Sequence, residues 1–409
     1  MEREEQRPVI AWNSMHVEGQ TRALFLIAGA QLLALSLWFS ASAVADSLQS
    51  AWALTDAQVP ILTLAVQIGF VVGALLSALL TLADRVKARY LFAVSAFAGA
   101  LINSLLVILG PGDLPIVVAV RFLTGMALAG VYPSGMKAIA GWFKEGRGTA
   151  LGILIGALTV GSALPHLIRG MGLDWQIVLL AASVLALLSA GMMLFAGDGP
   201  FDTATSAFSW SHVRNIIGNR GFRLATIGYL GHMWELYAAW TWVAFYVAAT
   251  EFSGSSSVVA FAVIAVGGIG AWLAGRLADR RGRTLAAGGS MVISGAAAAA
   301  TAAVFNAPAW LMIGVLLIWG LTVVSDSAQF SAIVTEVVDD KVRGTALTLQ
   351  TALGFMLTLV TISVVPLIAD STSWQWAFLI LVPGPIVGTI AMMRLKQSPW
   401  AAQIAGGRG

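Results

Sequence analysis

Gly275-Arg276-Leu277-Ala278-Asp279-Arg280-Arg281-Gly282-Arg283-Thr284 decides how this chain is read. It crowds one acid and four arginines into a break between two long apolar runs. A degraded copy, Leu80-Thr81-Leu82-Ala83-Asp84-Arg85-Val86-Lys87-Ala88-Arg89, lies about half the chain earlier. A charged hinge that repeats at half-chain distance implies a duplicated, hydrophobic architecture around it.

The composition agrees. The chain of 409 residues is 58% hydrophobic and 11% charged, with a mean hydropathy of +0.84. A soluble domain is nearer one quarter charged, because its surface faces water. With no cysteine, disulfides, thiolate metal sites and thiol nucleophiles are excluded, and four histidines at no ligand spacing leave no metal cluster. No GxxxxGK[ST] run exists, so ATP has no expected site. Gly267-Gly268-Ile269-Gly270 lies inside an apolar run and reads as helix packing, like Gly69-x-x-x-Gly73 and Gly152-x-x-x-Gly156.

A membrane span takes about 20 apolar residues. That ruler predicts twelve spans, at 23–45, 58–83, 90–109, 115–140, 148–169, 176–196, 222–249, 258–278, 284–305, 309–335, 344–368 and 375–393. Ala43-Val44-Ala45-Asp46 resembles a leader-cleavage site, but the acidic lead and long apolar run favour a retained first span. The expected divisions are a cytoplasmic tail at 1–21, a six-helix bundle at 22–196, a cytoplasmic linker at 197–221, a second bundle at 222–395 and a tail at 396–409. Both termini are expected in the cytoplasm, because Arg85, Lys87, Arg89, Lys144, Arg147, Arg214, Arg220, Arg223, Arg280, Arg281, Arg283, Lys341 and Arg343 then all fall inside. Only Arg169 falls near the outside.

Arg147-Gly148-Thr149-Ala150-Leu151 recurs as Arg343-Gly344-Thr345-Ala346-Leu347, an offset of 343 − 147 = 196. Asp84-Arg85 recurs as Asp279-Arg280, and Trp175-Gln176 as Trp374-Gln375. Parallel repeats of six spans are a transporter arrangement, with the solute site between the halves.

These residues resemble the major facilitator superfamily. The opening stretch matches its loop motif, with Thr284 in place of a last arginine, whereas the first copy has Leu80, Lys87 and Ala88 where the motif has glycine, glycine and arginine. Arg121-x-x-x-Gly125-x-x-x-Ala129 and Tyr132-Pro133 with Trp142-Phe143 resemble further family patterns. The resemblance implies an all-α membrane protein of two pseudo-symmetric six-helix bundles. It implies a secondary carrier in the cytoplasmic membrane, not an enzyme, that works by alternating access as a functional monomer. It also implies gating by Asp84, Arg85, Gly275, Asp279, Arg280, Gly282, Arg283, Arg147 and Arg343. Asp279 and Asp84 would sit against the helix starts after Arg147 and Arg343, where the helix dipole favours an acid. The better-formed copy puts more of that role on Asp279.

Charged groups inside spans cost at least about 2.5–3.5 kcal/mol at the bilayer centre and are functional candidates by default. Lys137 can snorkel and His166 reads as structural. Glu235 falls mid-way along the seventh span, with His232 at i−3 on the same face. The pair, with Asp326 in Ser325-Asp326-Ser327, is the expected proton-coupling set. Arg121 has two readings, a clamp on backbone carbonyls or a holder of an anionic solute. Trp38, Tyr237, Trp240 and Trp242 are expected to line the solute path. By the repeat offset Glu235 corresponds to Phe39, His232 to Ser36, Arg121 to Leu317 and Asp326 to Gly130, so these charges occur in one half only.

The expected cargo is a small anionic solute moved with protons. The alternative is proton-driven export of a cationic or amphipathic compound, and a transporter-like sensor is the remaining rival. Small molecule, protons and bilayer are the expected partners, with no cofactor and no nucleic acid.

Overall fold

A chain buried in lipid must satisfy every backbone N–H and C=O internally, so long apolar runs become helices. The computed structural model describes residues 19–80, 82–143, 147–201, 210–339 and 342–409. The side chains of residues 83–84, 147–148 and 210–211 lie outside that description, as do residues 1–18 of the expected tail and 202–209 of the expected linker.

Among the described residues, twelve membrane helices follow. The first bundle holds α1 (Gln20–Leu35), α2 (Ile61–Leu79), α3 (Ala88–Ser104), α4 (Leu114–Trp142), α5 (Arg147–Gly170) and α6 (Trp175–Phe195). The second holds α7 (Arg220–Ala248), α8 (Ser256–Arg281), α9 (Arg283–Val304), α10 (Ala309–Val323, resuming as Ser327–Val337), α11 (Arg343–Ser371) and α12 (Pro383–Lys396). Among the described residues, ten of the spans are long and apolar enough to cross a membrane. The other two are α1, which is short, and α7, whose centre holds the polar residues His232 and Glu235. Within each half the helices pack mainly on one another. Between halves α5 packs along α8 and α2 along α11.

Two expected spans are broken. Instead of running through 23–45, α1 stops at Leu35, and the chain turns through residues 36–41 before a 3-10 turn at Ser42–Val44 and a helix at Ala45–Trp52. Serines favour the break, because Ser36 Oγ donates to Leu33 O at 2.7 Å and Ser40 Oγ to Leu37 O at 2.9 Å. The expected span 309–335 breaks at residues 324–326, where Ser325 Oγ donates to Leu321 O at 2.6 Å. The last span begins as short turns, Trp374–Ala377 and Phe378–Leu381, before α12.

The crossing of α5 and α8 explains two glycine runs. A Cβ added at Gly156 would lie 3.0 Å from Gly268 O, and one at Gly268 would lie 3.1 Å from Gly156 O. One turn along, a Cβ at Gly152 would lie 3.5 Å from Ala271 O. The two backbones touch at a point where the halves meet. Gly156→Leu is expected to cost about 1–3 kcal/mol of overpacking, read as a lower melting temperature and slower transport. Gly191→Ala, where nothing lies within 4 Å, is the control that should change neither.

Candidate functional site

Glu235 is held in the middle of α7 with 2% of its surface exposed. Trp319 Nε1, on α10, donates to its Oε1 at 2.6 Å, and Ser294 Oγ, on α9, lies 2.9 Å from its Oε2. Ser294 Oγ also lies 3.2 Å from Met291 O. A hydroxyl has one proton and two lone pairs. It can therefore donate to an ionised Glu235, or accept from a protonated one while donating to Met291 O. Both protonation states of the acid have a complete set of partners.

The expected pairing of His232 with Glu235 does not form. His232 Nδ1 instead lies 2.8 Å from Asp326 Oδ1, with both side chains buried. The break in α10 makes this possible, since Asp326 sits at the start of the resumed helix and turns into the bundle. Tyr229 and Phe330 flank the imidazole at 6.0 and 5.7 Å between ring centres. The second half therefore buries two acids with separate partners.

Arg121, fully buried on α4, reaches the broken end of α1. Its Nε donates to Leu62 O at 3.0 Å and its Nη2 to Trp38 O at 2.8 Å. Its Nη1 lies 3.3 Å from Leu37 O, 3.2 Å from Ser40 Oγ and 3.2 Å from Asn103 Oδ1. Of the two readings of this residue, the carbonyl clamp is the one with contacts. It closes the hydrogen-bond deficit that the break in α1 creates.

A seam of rings joins the halves. Trp38 lies 5.5 Å from Tyr237 and 5.5 Å from Phe355 between ring centres, Phe70 lies 4.5 Å from Phe355, and Phe39 lies 6.0 Å from Trp240. Three of these rings, Phe39, Phe70 and Phe355, were not foreseen, since an apolar run does not say which of its phenylalanines faces the partner bundle. The repeat offset points to Phe39, the position that mirrors Glu235. Trp242 is elsewhere, with Nε1 donating to Ile362 O at 2.9 Å and its ring 6.0 Å from Trp374. The indole nitrogens of Trp38 and Trp240 and the amides of Gln31 and Gln67 are buried with no hydrogen-bond partner among the described residues. A void of about 10 Å³ beside Trp240 and Trp319 has room for roughly one water.

The opening stretch folds as the end of α8, a turn at Gly282 and the start of α9. Gly282 adopts φ 102°, and a Cβ there would overlap the carbonyl of Arg408. Arg283 grips Glu336 through Nε at 3.1 and 3.0 Å and Nη2 at 2.9 Å, and its Nη1 reaches Gln329 Oε1 at 3.3 Å. The C-terminal segment closes over this pair. Ala405 N donates to Glu336 Oε2 at 3.1 Å and Ile404 is fully buried. Gly275 is buried, whereas Asp279, Arg280 and Arg85 are exposed. Among the described residues, Arg283, Arg408 and Glu336 are the charged groups that act on Asp279. Arg343, at the start of α11, is half-buried. The side chains of Asp84 and Arg147 lie outside the described residues. Glu336 and the closing segment went unforeseen, because a single acid at a span end and a short polar tail carry no pattern.

The comparisons with known proteins agree with this architecture. The description "Major Facilitator Superfamily" matches residues 26–354. Among solved structures, a mutant of the nucleoside transporter NupG superposes with TM-score 0.69 at 16% identity, covering 91% of this chain and 99% of that one. The xylose transporter XylE from E. coli, in a partially occluded inward open conformation, gives 0.70 at 12% identity, covering 92% and 99%. A bacterial homolog of the human lysosomal transporter Spinster gives 0.65 at 13%, covering 96% and 98%. No curated protein matches the chain in sequence. Family match, helix count and paired bundles converge: the chain belongs to the major facilitator superfamily, and it is a secondary transporter of the alternating-access type rather than an enzyme.

Proposed function

We propose that this carrier is proton-coupled, that Glu235 is its protonation site, and that its cargo is an amphipathic solute carrying a planar ring. The observation that supports the first part is the arrangement of Trp319 and Ser294, which accommodates Glu235 with or without its proton. His232 and Asp326 form a second buried acid site in the same half. The cargo assignment follows from which groups are left to meet a solute. Arg121 spends its guanidinium on Leu37, Trp38, Leu62, Ser40 and Asn103, so an anionic solute loses its expected holder. The seam offers ring faces from Trp38, Phe39, Tyr237 and Trp240 and unpaired indole N–H groups, which suit a planar partner with polar edges.

The basic end of the bundle, with Lys87 and Arg89 on Asp198 and Arg283 on Glu336, is assigned to the cytoplasm. Arg169 lies at the other end, 3.2 Å from Asp46. On this reading both termini lie in the cytoplasm, the protein sits in the cytoplasmic membrane, and it works as a monomer.

Proteoliposomes holding a trapped pH dye test the reading. With a pH gradient imposed, planar amphipathic compounds should change proton flux and small organic or inorganic anions should not. Flux elicited by the anions alone would overturn the cargo assignment.

A further inference from the structure

We infer that the basic end of the second bundle carries a binding site for the headgroup of an anionic phospholipid, between Arg220 on α7 and Arg394 on α12. The two side chains line one cavity of about 300 Å³, closed at the back by Gln397, Ser398 and Pro399. Both arginines are exposed, and among the described residues neither forms an ion pair with an acid. In this they differ from Lys87 and Arg89, which share Asp198, and from Arg283, which holds Glu336. Two like charges on one cavity without a counter-charge repel each other, and an anion between them removes that cost.

The cavity is fixed in place by its surroundings. Asn219 caps α7 by accepting from Phe222 N at 3.0 Å, and its Nδ2 donates to Val337 O at 2.7 Å, which sets the position of Arg220. Trp400 packs on Gly221, where an added Cβ would lie 3.0 Å from the indole ring. Ser398 Oγ donates to Leu395 O at 2.7 Å and holds the turn that forms the back wall.

The occupant follows from what leads into the cavity. On α12, Val387, Ile390 and Arg394 recur at i, i+3 and i+7, so the arginine ends an exposed apolar stripe that Ile386 and Met393 widen. On α7, Arg220, Arg223 and Ile227 share a face by the same spacing, and all three are exposed. Both stripes belong to lipid-facing surface. An acyl chain lying on them brings its phosphate to the two guanidinium groups, and Trp400 stands beside it at the level where tryptophan prefers the membrane border. A free phosphate would use the arginines but not the stripes. Basic pockets between membrane helices at the cytoplasmic leaflet are suited to anionic headgroups.

Native mass spectrometry on the full chain, titrated with phosphatidylglycerol or phosphatidylcholine, tests this. The wild-type chain should retain phosphatidylglycerol in preference. The Arg220→Gln/Arg394→Gln double variant should bind it about 30-fold more weakly, the usual contribution of two arginines at an anionic surface. Arg220→Lys/Arg394→Lys should keep most of the binding. Equal retention of the two lipids by the wild-type chain, or unchanged phosphatidylglycerol binding by the glutamine variant, would overturn the inference. So would displacement of the lipid by millimolar inorganic phosphate, which would make the site one for a free anion. The salt dependence of the wild-type titration gives a reading even if the glutamine variant fails to fold. Binding should weaken steeply as salt rises, and salt-insensitive binding would refute a charge-based site.

Discussion

Glu235→Gln is expected to abolish transport driven by a pH gradient while leaving the fold and solute exchange intact. The amide is close to isosteric with the carboxyl group. Its carbonyl can accept from Trp319 Nε1, as Oε1 does at 2.6 Å. Its NH₂ can donate to Ser294 Oγ, which then donates to Met291 O, a contact already present at 3.2 Å. The variant therefore reproduces the protonated state without the option of releasing a proton. Proton flux in dye-loaded proteoliposomes should fall to the level of empty vesicles, and the melting temperature should stay near the wild-type value. Exchange of labelled against unlabelled solute, which needs no net proton movement, should persist. Glu235→Leu separates this from a structural role, since it strands Trp319 Nε1 in a dry interior at a cost of about 1–3 kcal/mol and should lower the melting temperature. Full gradient-driven transport by Glu235→Gln would show that the proton travels elsewhere, with Asp326 and His232 the next pair to examine.

Why Glu235 could be singled out and its partners could not is a matter of which interactions leave a mark on sequence. A carboxylate inside a 20-residue apolar run stands out by its cost. A tryptophan or serine that serves it does not, because Trp319 and Ser294 are ordinary members of their own runs. Helical spacing put His232 and Glu235 on one face, which is correct for the backbone, but the imidazole swings to Asp326 because α10 breaks there. The spans themselves were legible to within a few residues, since the bilayer imposes a length. The breaks were not. Ser36-Leu37-Trp38-Phe39-Ser40 is nearly as apolar as what precedes it, and hydropathy does not register that an arginine 80 or more positions later supplies donors to its carbonyls. The half-chain repeat matched Phe39 to Glu235 by position and so marked the acid as unique to one half, but it did not say that the Phe39 ring meets Tyr237 and Trp240. For the loop at Gly275–Thr284 the motif located the hinge. The contacts of its Arg283 depend on Glu336 and on a C-terminal segment whose composition is unremarkable.

The largest stability loss is expected at Arg121. Arg121→Leu leaves Leu37 O, Trp38 O and Leu62 O without the donor that now reaches them at 3.3, 2.8 and 3.0 Å. Leu37 O keeps the bond from Ser40 Oγ at 2.9 Å and Leu62 O its place in the α2 ladder, but Trp38 O is stranded at about 1–3 kcal/mol, a large share of the stability of a typical domain, about 5–15 kcal/mol. The leucine variant should therefore accumulate poorly and be degraded in the membrane. Arg121→Lys is the sharper test. An ammonium is a compact point charge, whereas the guanidinium fork spreads its donors over α1, α2 and α3 at once. Lysine keeps the charge but cannot serve Leu62, Trp38 and Asn103 together. A clamp role predicts a lower melting temperature and faster amide exchange over residues 36–44, with the Michaelis constant of whatever solute is carried little changed. An anion-holding role predicts the reverse, a normal melting temperature with a raised Michaelis constant. That second pattern would return Arg121 to the solute path and, with it, an anionic cargo. The first would leave the first bundle without a charge for the solute and put the burden of recognition on the rings of the seam, where Trp38, itself held through its carbonyl by Arg121, meets Tyr237 of the opposite bundle.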